Sequence, residues 1–420
     1  MFSYLFKISL ILSVSLWPFQ NGKQGALPPK PSAYTLPSPP SQYAFIKIMI
    51  QSGLSETLLS VDGPYSVLDA QKKLIYSGQK LPPSRVLASK GALILGNQTF
   101  SANPLTIESA ERGVRVKGAH YRQAIEIWRE ADGRLMLIND IPMEDYLKGV
   151  LPSEVNPRWP MESLKAQAVA SRTYALFKII ENQSQRYHLS KDVLSQVYGG
   201  KNLENALTTQ AVEETQGQIL IYNNKVFPAY FHSTCGGRTT QAEFIWNIEP
   251  HPSLAGVECN FCWKSRHYRW NGEFPKAEIE KKLAAHGIKA AGLKGVSLGE
   301  KDATGRVKFF ILSTAAGPLA LHSNDFRLWI SPQKLKSTWI LSVDKIKGGY
   351  HFRGRGWGHG VGLCQFGTKQ LGEMGYSAPR ILNYYYPGAQ LVQYWAEMPR
   401  SLTSTVKGLL NGVKEKLDLE

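Results

Sequence analysis

IPMEDYLKGVLPSEVNPRWPMESLKAQAVASRTYAL, Ile141 to Leu176, divides this chain into two kinds of sequence. On its amino side the runs AFIKIMI, SVLDA, RVLA, ALILG, AIEIW and LMLI are short, alternating or apolar, and Gly, Pro and Asn separate them. That pattern predicts a β-rich N-terminal domain over 43–140. Inside the dividing stretch, Pro142 suits the first turn of a short helix, and Pro160 opens a longer one reaching about Ile180. On its carboxyl side, strand-like runs (QILIY, KVFPAYF, VKFFILST, TWILSV) mix with helix-like ones (AEIEKKLAAH, TKQLGEMG). Their order is too irregular for a doubly wound sheet, so 141–393 is expected to be a mixed α/β domain and the fold class α+β.

The dividing stretch also carries the first candidate chemistry. In a continuous helix a seven-residue step turns about 700°, so Lys165 and Arg172 lie within about 20° of each other on one face. Ala166, Ala168, Ala170 and Ala175 keep that helix slim for close packing, while Val169, Leu176 and Ile180 supply its apolar side. Glu154 precedes it among Pro152, Pro157 and Pro160, where a turn would leave the acid accessible. An acid and two bases in that arrangement suit catalysis, and they equally suit a structural ion-pair network.

At 420 residues the chain is long enough for two or three domains, and with 43% hydrophobic and 20% charged residues it has the composition of a globular protein with a sizeable core. The amino end, with one lysine before an apolar run from Ile8 to Trp17, reads as a signal peptide or uncleaved membrane anchor over 1–25. Six prolines make 26–42 an extended linker, and 394–420 reads as a C-terminal tail. The net charge of +16 predicts an anionic polymer or surface as partner. In an exported chain that partner is expected to be cell-wall material or lipid headgroups and not nucleic acid.

Several motifs, in one order, resemble the stage II sporulation protein D family, which includes the amidase enhancer LytB. They are LPSEVNPRWPMESLKAQAVASRTYAL, DVLSQVYGG from Asp192, AYFHSTCGGRTTQAEFIW from Ala229 and RGWGHGVGLCQFGTKQLGEMGYSAPRILNYYYPG from Arg355, preceded by the β-rich region. The resemblance covers about Ile46 to Val392. It implies a lytic transglycosylase located in the periplasm or cell wall, whose catalytic domain holds peptidoglycan glycan strands, stripped of stem peptides, in an active-site groove. The family's essential acid falls on Glu154.

One carboxyl group suffices for the implied reaction. It protonates the glycosidic oxygen, then takes the proton of the C6 hydroxyl that attacks C1, leaving a 1,6-anhydro end. Water is not the nucleophile, so the paired carboxylates of ordinary glycosidases are unnecessary. Such an acid needs a raised pKa, for which Val155 and Trp159 are candidate apolar neighbours. Lys165 and Arg172 are then assigned to binding sugar substituents. The resemblance also implies that His359 and Gln365, in the glycine-rich loop, lie near the sugar, and Tyr385 is a candidate stacking surface. That loop lacks the lysine and setting of nucleotide motifs. A non-catalytic, glycan-binding enhancer of a cell-wall amidase is the alternative, followed by a wall tether.

Four cysteines remain, Cys235, Cys259, Cys262 and Cys364. Export favours disulfides, with no cofactor. A structural zinc held by Cys235, Cys259, Cys262 and His232 is the second expectation, since C-x-x-C is suitable spacing. The zinc site of some family members, a histidine followed by two cysteines at six-residue steps, is absent, because His188 is followed by Leu194 and Gly200. The run CWKSRHYRW, Cys262 to Trp270, interleaves aromatics with cations and suits either sugar rings or a solvated loop.

Overall fold

A computed structural model describes residues 45–395 apart from 90, 110 and 192–195. The predicted leader and linker, Asp192–Ser195 of the DVLSQVYGG motif and the tail from residue 396 lie outside the described residues.

The strand Phe45–Leu54 alternates Ile46, Ile48 and Ile50 inward with Lys47 and Met49 facing out, the period of a half-buried strand. It pairs antiparallel with Leu135–Pro142, and the sheet continues through Ala124–Arg129, Leu105–Glu108, Tyr65–Leu68 and Leu74–Gly78. On its other edge the short strand Leu189–Ser190 adds in parallel, making seven strands. A six-stranded sheet built around Glu56–Val61 and Leu81–Ser89 accompanies it. With helices and four smaller sheets following, the fold is α+β, as expected.

Eight α-helices follow among the described residues: α1 (Met143–Glu154), α2 (Met161–Glu181), α3 (Ala206–Glu214), α4 (Ala242–Trp246), α5 (Lys276–Ala285), α6 (Ser323–Ile330), α7 (Gln365–Glu373) and α8 (Ala378–Tyr385). Pro142 and Pro160 stand at the N-caps of α1 and α2, where a missing N–H costs nothing. Pro152 lies inside the last turns of α1, so the helix runs on to Glu154 where the sequence suggested a turn.

Three hydrophobic cores are built on this frame. The first crosses the expected boundary at 140, joining Ile46, Ile48 and Leu137 of the large sheet to Tyr146, Val150, Ala175 and Leu176. The second takes Ala166, Val169 and Ala170 from the opposite side of α2, with Phe227, Val361, Leu363, Ile381 and Tyr386. Helix α2 is thus a shared wall, buried on nearly every side, and its small residues admit both cores. The third core is separate, formed by residues between Trp270 and Phe352 around α5, α6 and two three-stranded sheets.

Candidate active site

Glu154 ends α1, the negative pole of the helix dipole, where a carboxylate is disfavoured. Its Oε1 accepts the Val197 N–H at 3.0 Å and its Oε2 accepts the Gln365 side-chain amide at 3.5 Å. Partial burial raises the carboxyl above the usual glutamate range, against the opposing pull of those two hydrogen bonds. Among the described residues it makes no ion pair. Val155 is buried beside it in sequence, and Trp159 meets Phe366 edge-on at 5.4 Å, so the loop after Glu154 is clasped to the start of α7.

Two buried side chains fix the Val197 amide. Tyr146 donates its hydroxyl to Gln196 Oε1 at 2.8 Å, and Gln196 Nε2 donates to the Ser171 carbonyl at 3.2 Å. Gln167 in turn donates to Ser171 Oγ at 3.1 Å. These polar residues of α1, α2 and the segment before Tyr198 were not singled out from the sequence. Only the QVYGG motif hinted at them, and periodicity cannot tell which backbone amide faces an acid.

The structure corrects the role given to the two cations. Lys165 and Arg172 do share a face of α2, but that face meets α3 and its neighbours. Arg172 is 0% exposed and forms a bidentate pair with Glu144, at 2.9 and 2.7 Å, while donating to the Val212 and Gln218 carbonyls. Glu144 also accepts the Gly217 N–H. Lys165 is held between Glu162 at 3.0 Å and Glu214 at 2.6 Å. The ion-pair network weighed from the sequence therefore exists, with Glu144, Glu162 and Glu214 as its acids instead of Glu154.

The glycine-rich loop does bring one predicted residue to the acid. Gln365, buried at the first position of α7, is the amide donor to Glu154. His359 is committed elsewhere: its Nε2 donates to the Phe231 carbonyl at 2.9 Å and its Nδ1 accepts the Val361 N–H at 3.1 Å. Burial, with His232 and Arg327 nearby, holds it well below the usual histidine pKa, hence neutral. Tyr385 is likewise no stacking platform, being 1% exposed with its hydroxyl on Cys259 Sγ at 3.2 Å. Gly362 (φ +69°) passes so close to Tyr230 that any Cβ would overlap that residue's carbonyl. In CWKSRHYRW, Trp270 and His267 are buried, whereas Trp263 is 59% exposed with Lys264 over its ring at 5.4 Å.

Cys235, Cys259, Cys262 and Cys364 are buried, free, and brought together, their sulfurs all within 4.8 Å of one another. Where the sequence offered His232 as the fourth member, the sulfur of Cys364, the residue preceding Gln365, joins the other three; His232 donates from Nδ1 to the Val361 carbonyl at 3.0 Å, and its buried Nε2 has no hydrogen-bond partner. Four sulfurs in a closed group are a donor set for a soft, tetrahedral ion or for paired disulfides.

The stage II sporulation protein family model matches residues 131–222, which hold α1, α2 and Glu154. Stage II sporulation protein D of Bacillus subtilis is 31% identical over 74% of this chain and 85% of that protein. The chain belongs to the stage II sporulation protein D family. An uncharacterized protein of Brachyspira hyodysenteriae is 29% identical over 84% of the chain and 96% of its own length. The Bacillus subtilis protein named amidase enhancer is 28% identical over 59% of the chain, which spans 40% of that relative. A further model, for a domain of unknown function, matches residues 256–362 and takes in the third core. In this stage II sporulation protein D family member Gln365 and Cys364 lie beyond both matched spans, so the site is completed by a distant part of the chain.

Proposed function

We propose that this protein is a peptidoglycan lytic transglycosylase, acting outside the cytoplasm on the β-1,4 bond from N-acetylmuramic acid to N-acetylglucosamine in strands free of stem peptides. The observation that carries this reading is Glu154: one carboxyl whose pKa burial raises, with amide donors and, among the described residues, no cation paired with it. Its proton passes to the glycosidic oxygen as the C1–O bond breaks, and the N-acetylglucosamine side leaves as an alcohol. The carboxylate then takes the C6 hydroxyl proton while O6 bonds to C1, closing the 1,6-anhydro ring and restoring the acid. No water is consumed, so no second carboxylate is required. Val197 N–H and Gln365 steady the carboxylate formed between the two transfers. Trp263 offers an exposed ring for a sugar.

The test is incubation of purified protein with denuded glycan strands. Glu154→Gln, which keeps the shape and loses the proton, is expected to lose roughly 10²–10⁴-fold in anhydro-end formation. A second reading follows from the relative named amidase enhancer: a glycan-binding partner of a cell-wall amidase. It predicts binding to glycan and a faster amidase, with no new chain ends from the protein alone and no effect of Glu154→Gln.

A further inference from the structure

The four cysteines come from three separated segments: Cys235 beyond the strand Phe231–His232, the pair Cys259 and Cys262, and Cys364 ending the strand Leu363–Cys364. Zinc holds thiolates at about 2.3 Å, which sets the sulfurs of a regular tetrahedron about 3.8 Å apart. Here Cys235 Sγ and Cys262 Sγ stand 3.4 Å apart, and no pair of the four exceeds 4.8 Å. The sulfurs are therefore spaced as the ligands of one such ion would be.

Donors surround it as they surround metal-bound thiolates. The Cys235 N–H points at Cys364 Sγ at 3.2 Å, the Gly237 N–H at Cys235 Sγ at 3.4 Å, and the Tyr385 hydroxyl lies 3.2 Å from Cys259 Sγ. Gly367 makes the last contact possible, because a Cβ there would fall 2.0 Å from the tyrosine oxygen and 2.8 Å from the sulfur.

A second observation is the charge beside the cluster. Arg306 is 0% exposed; its Nη2 donates to the Cys235 and Arg238 carbonyls at 2.8 and 3.3 Å, and its Nε and Nη1 have no hydrogen-bond partner. A buried guanidinium calls for negative charge nearby; Asp302 supplies one such charge, the Trp339 ring lies 5.0 Å from the guanidinium carbon, and Cys235, Cys364 and Cys262 are the other groups acting on it. Four thiolates around a dication leave a net charge of minus two, whereas two disulfides leave none.

We propose that Cys235, Cys259, Cys262 and Cys364 bind one zinc ion in a closed tetrahedral site, with Arg306 as its buried counter-charge. All four positions are filled by protein, so the role is structural. Binding displaces the thiol protons to solvent and forms four Zn–S bonds. The ion fastens the start of α7, and with it Gln365, to the segments carrying Cys235 and Cys259. The four sulfurs and Arg306 define this site independently of any transglycosylase activity at Glu154.

The test uses the full chain, purified without reductant or chelator, by elemental analysis, thiol titration in denaturant with the metal removed, and intact mass. One zinc and four titratable thiols per chain are expected. A metal-free chain lighter by four hydrogens, carrying two disulfides, overturns the proposal, as does iron at that stoichiometry or a metal-free chain with four thiols. Cys364→Ser is expected to lose at least tenfold in zinc affinity while His232→Ala keeps a full equivalent. The reverse pattern would restore His232 as the ligand and sink the four-sulfur site. Should either variant fail to fold, the measurements on the unaltered chain decide.

Discussion

A carboxyl group that must give up a proton and later take one back needs a pKa near its working pH, and burial moves Glu154 in that direction. Transfer to the glycosidic oxygen requires the protonated form, so the rate of glycan cleavage is expected to fall as pH rises through the raised pKa. Gln365→Ala removes one of the two hydrogen bonds that favour the charged form. Its alkaline limb should therefore move to higher pH, a shift that a purely structural role for Gln365 would not produce. The same burial has a cost in stability. For an acid whose folded-state pKa is raised, stability is full below the unfolded value, about 4.3, and declines as pH rises through the folded one. Glu154→Gln should melt above the unaltered protein at pH 8, with the difference closing near pH 4. An equal Tm at both pH values would contradict the burial argument.

At the scale of elements, α2 shows how much a spacing can say. The step from Lys165 to Arg172 placed both on one face, and Pro142 and Pro160 marked where α1 and α2 begin. Periodicity gives an angle around one helix and leaves the neighbour at that angle open, so the arrival of α3 against this face was not legible. Glu144, Thr215 and Val212 acquire their roles only once α1 and α3 are packed. Glu154 and Gln365 were both legible by resemblance, but the Val197 amide was not, since backbone donors leave no mark in a residue's identity. Glu144→Ala leaves Arg172 charged and buried without its partner and is expected to destabilise by about 3–5 kcal/mol in chemical denaturation. Lys165→Ala breaks partly exposed, solvent-screened pairs and should cost no more than about 1 kcal/mol.

Across the whole molecule, residues far apart in sequence meet at two adjacent points, Gln365 on Glu154 and Cys364 among the other three sulfurs. The strand runs and the α+β class could be read from the chain. The separate core between Trp270 and Phe352 and the convergence of Cys364 with a pair so distant could not, because long-range closure carries no local pattern. If zinc closes the cluster, stripping it with a chelator should raise hydrogen exchange around 235–237, 259–262 and 364–371 while Phe45–Leu54 and Leu135–Pro142 of the large sheet keep their protection. Uniform loss, or none, would contradict a structural ion at that position.

Whether Glu154 alone serves as acid and base in an intramolecular attack is read most directly by mass spectrometry of the products formed from denuded glycan strands. The unaltered protein is expected to leave 1,6-anhydro ends, and Glu154→Gln to lose them roughly 10²–10⁴-fold. Reducing ends, no cleavage, or anhydro ends that persist in the variant at the normal rate would contradict it.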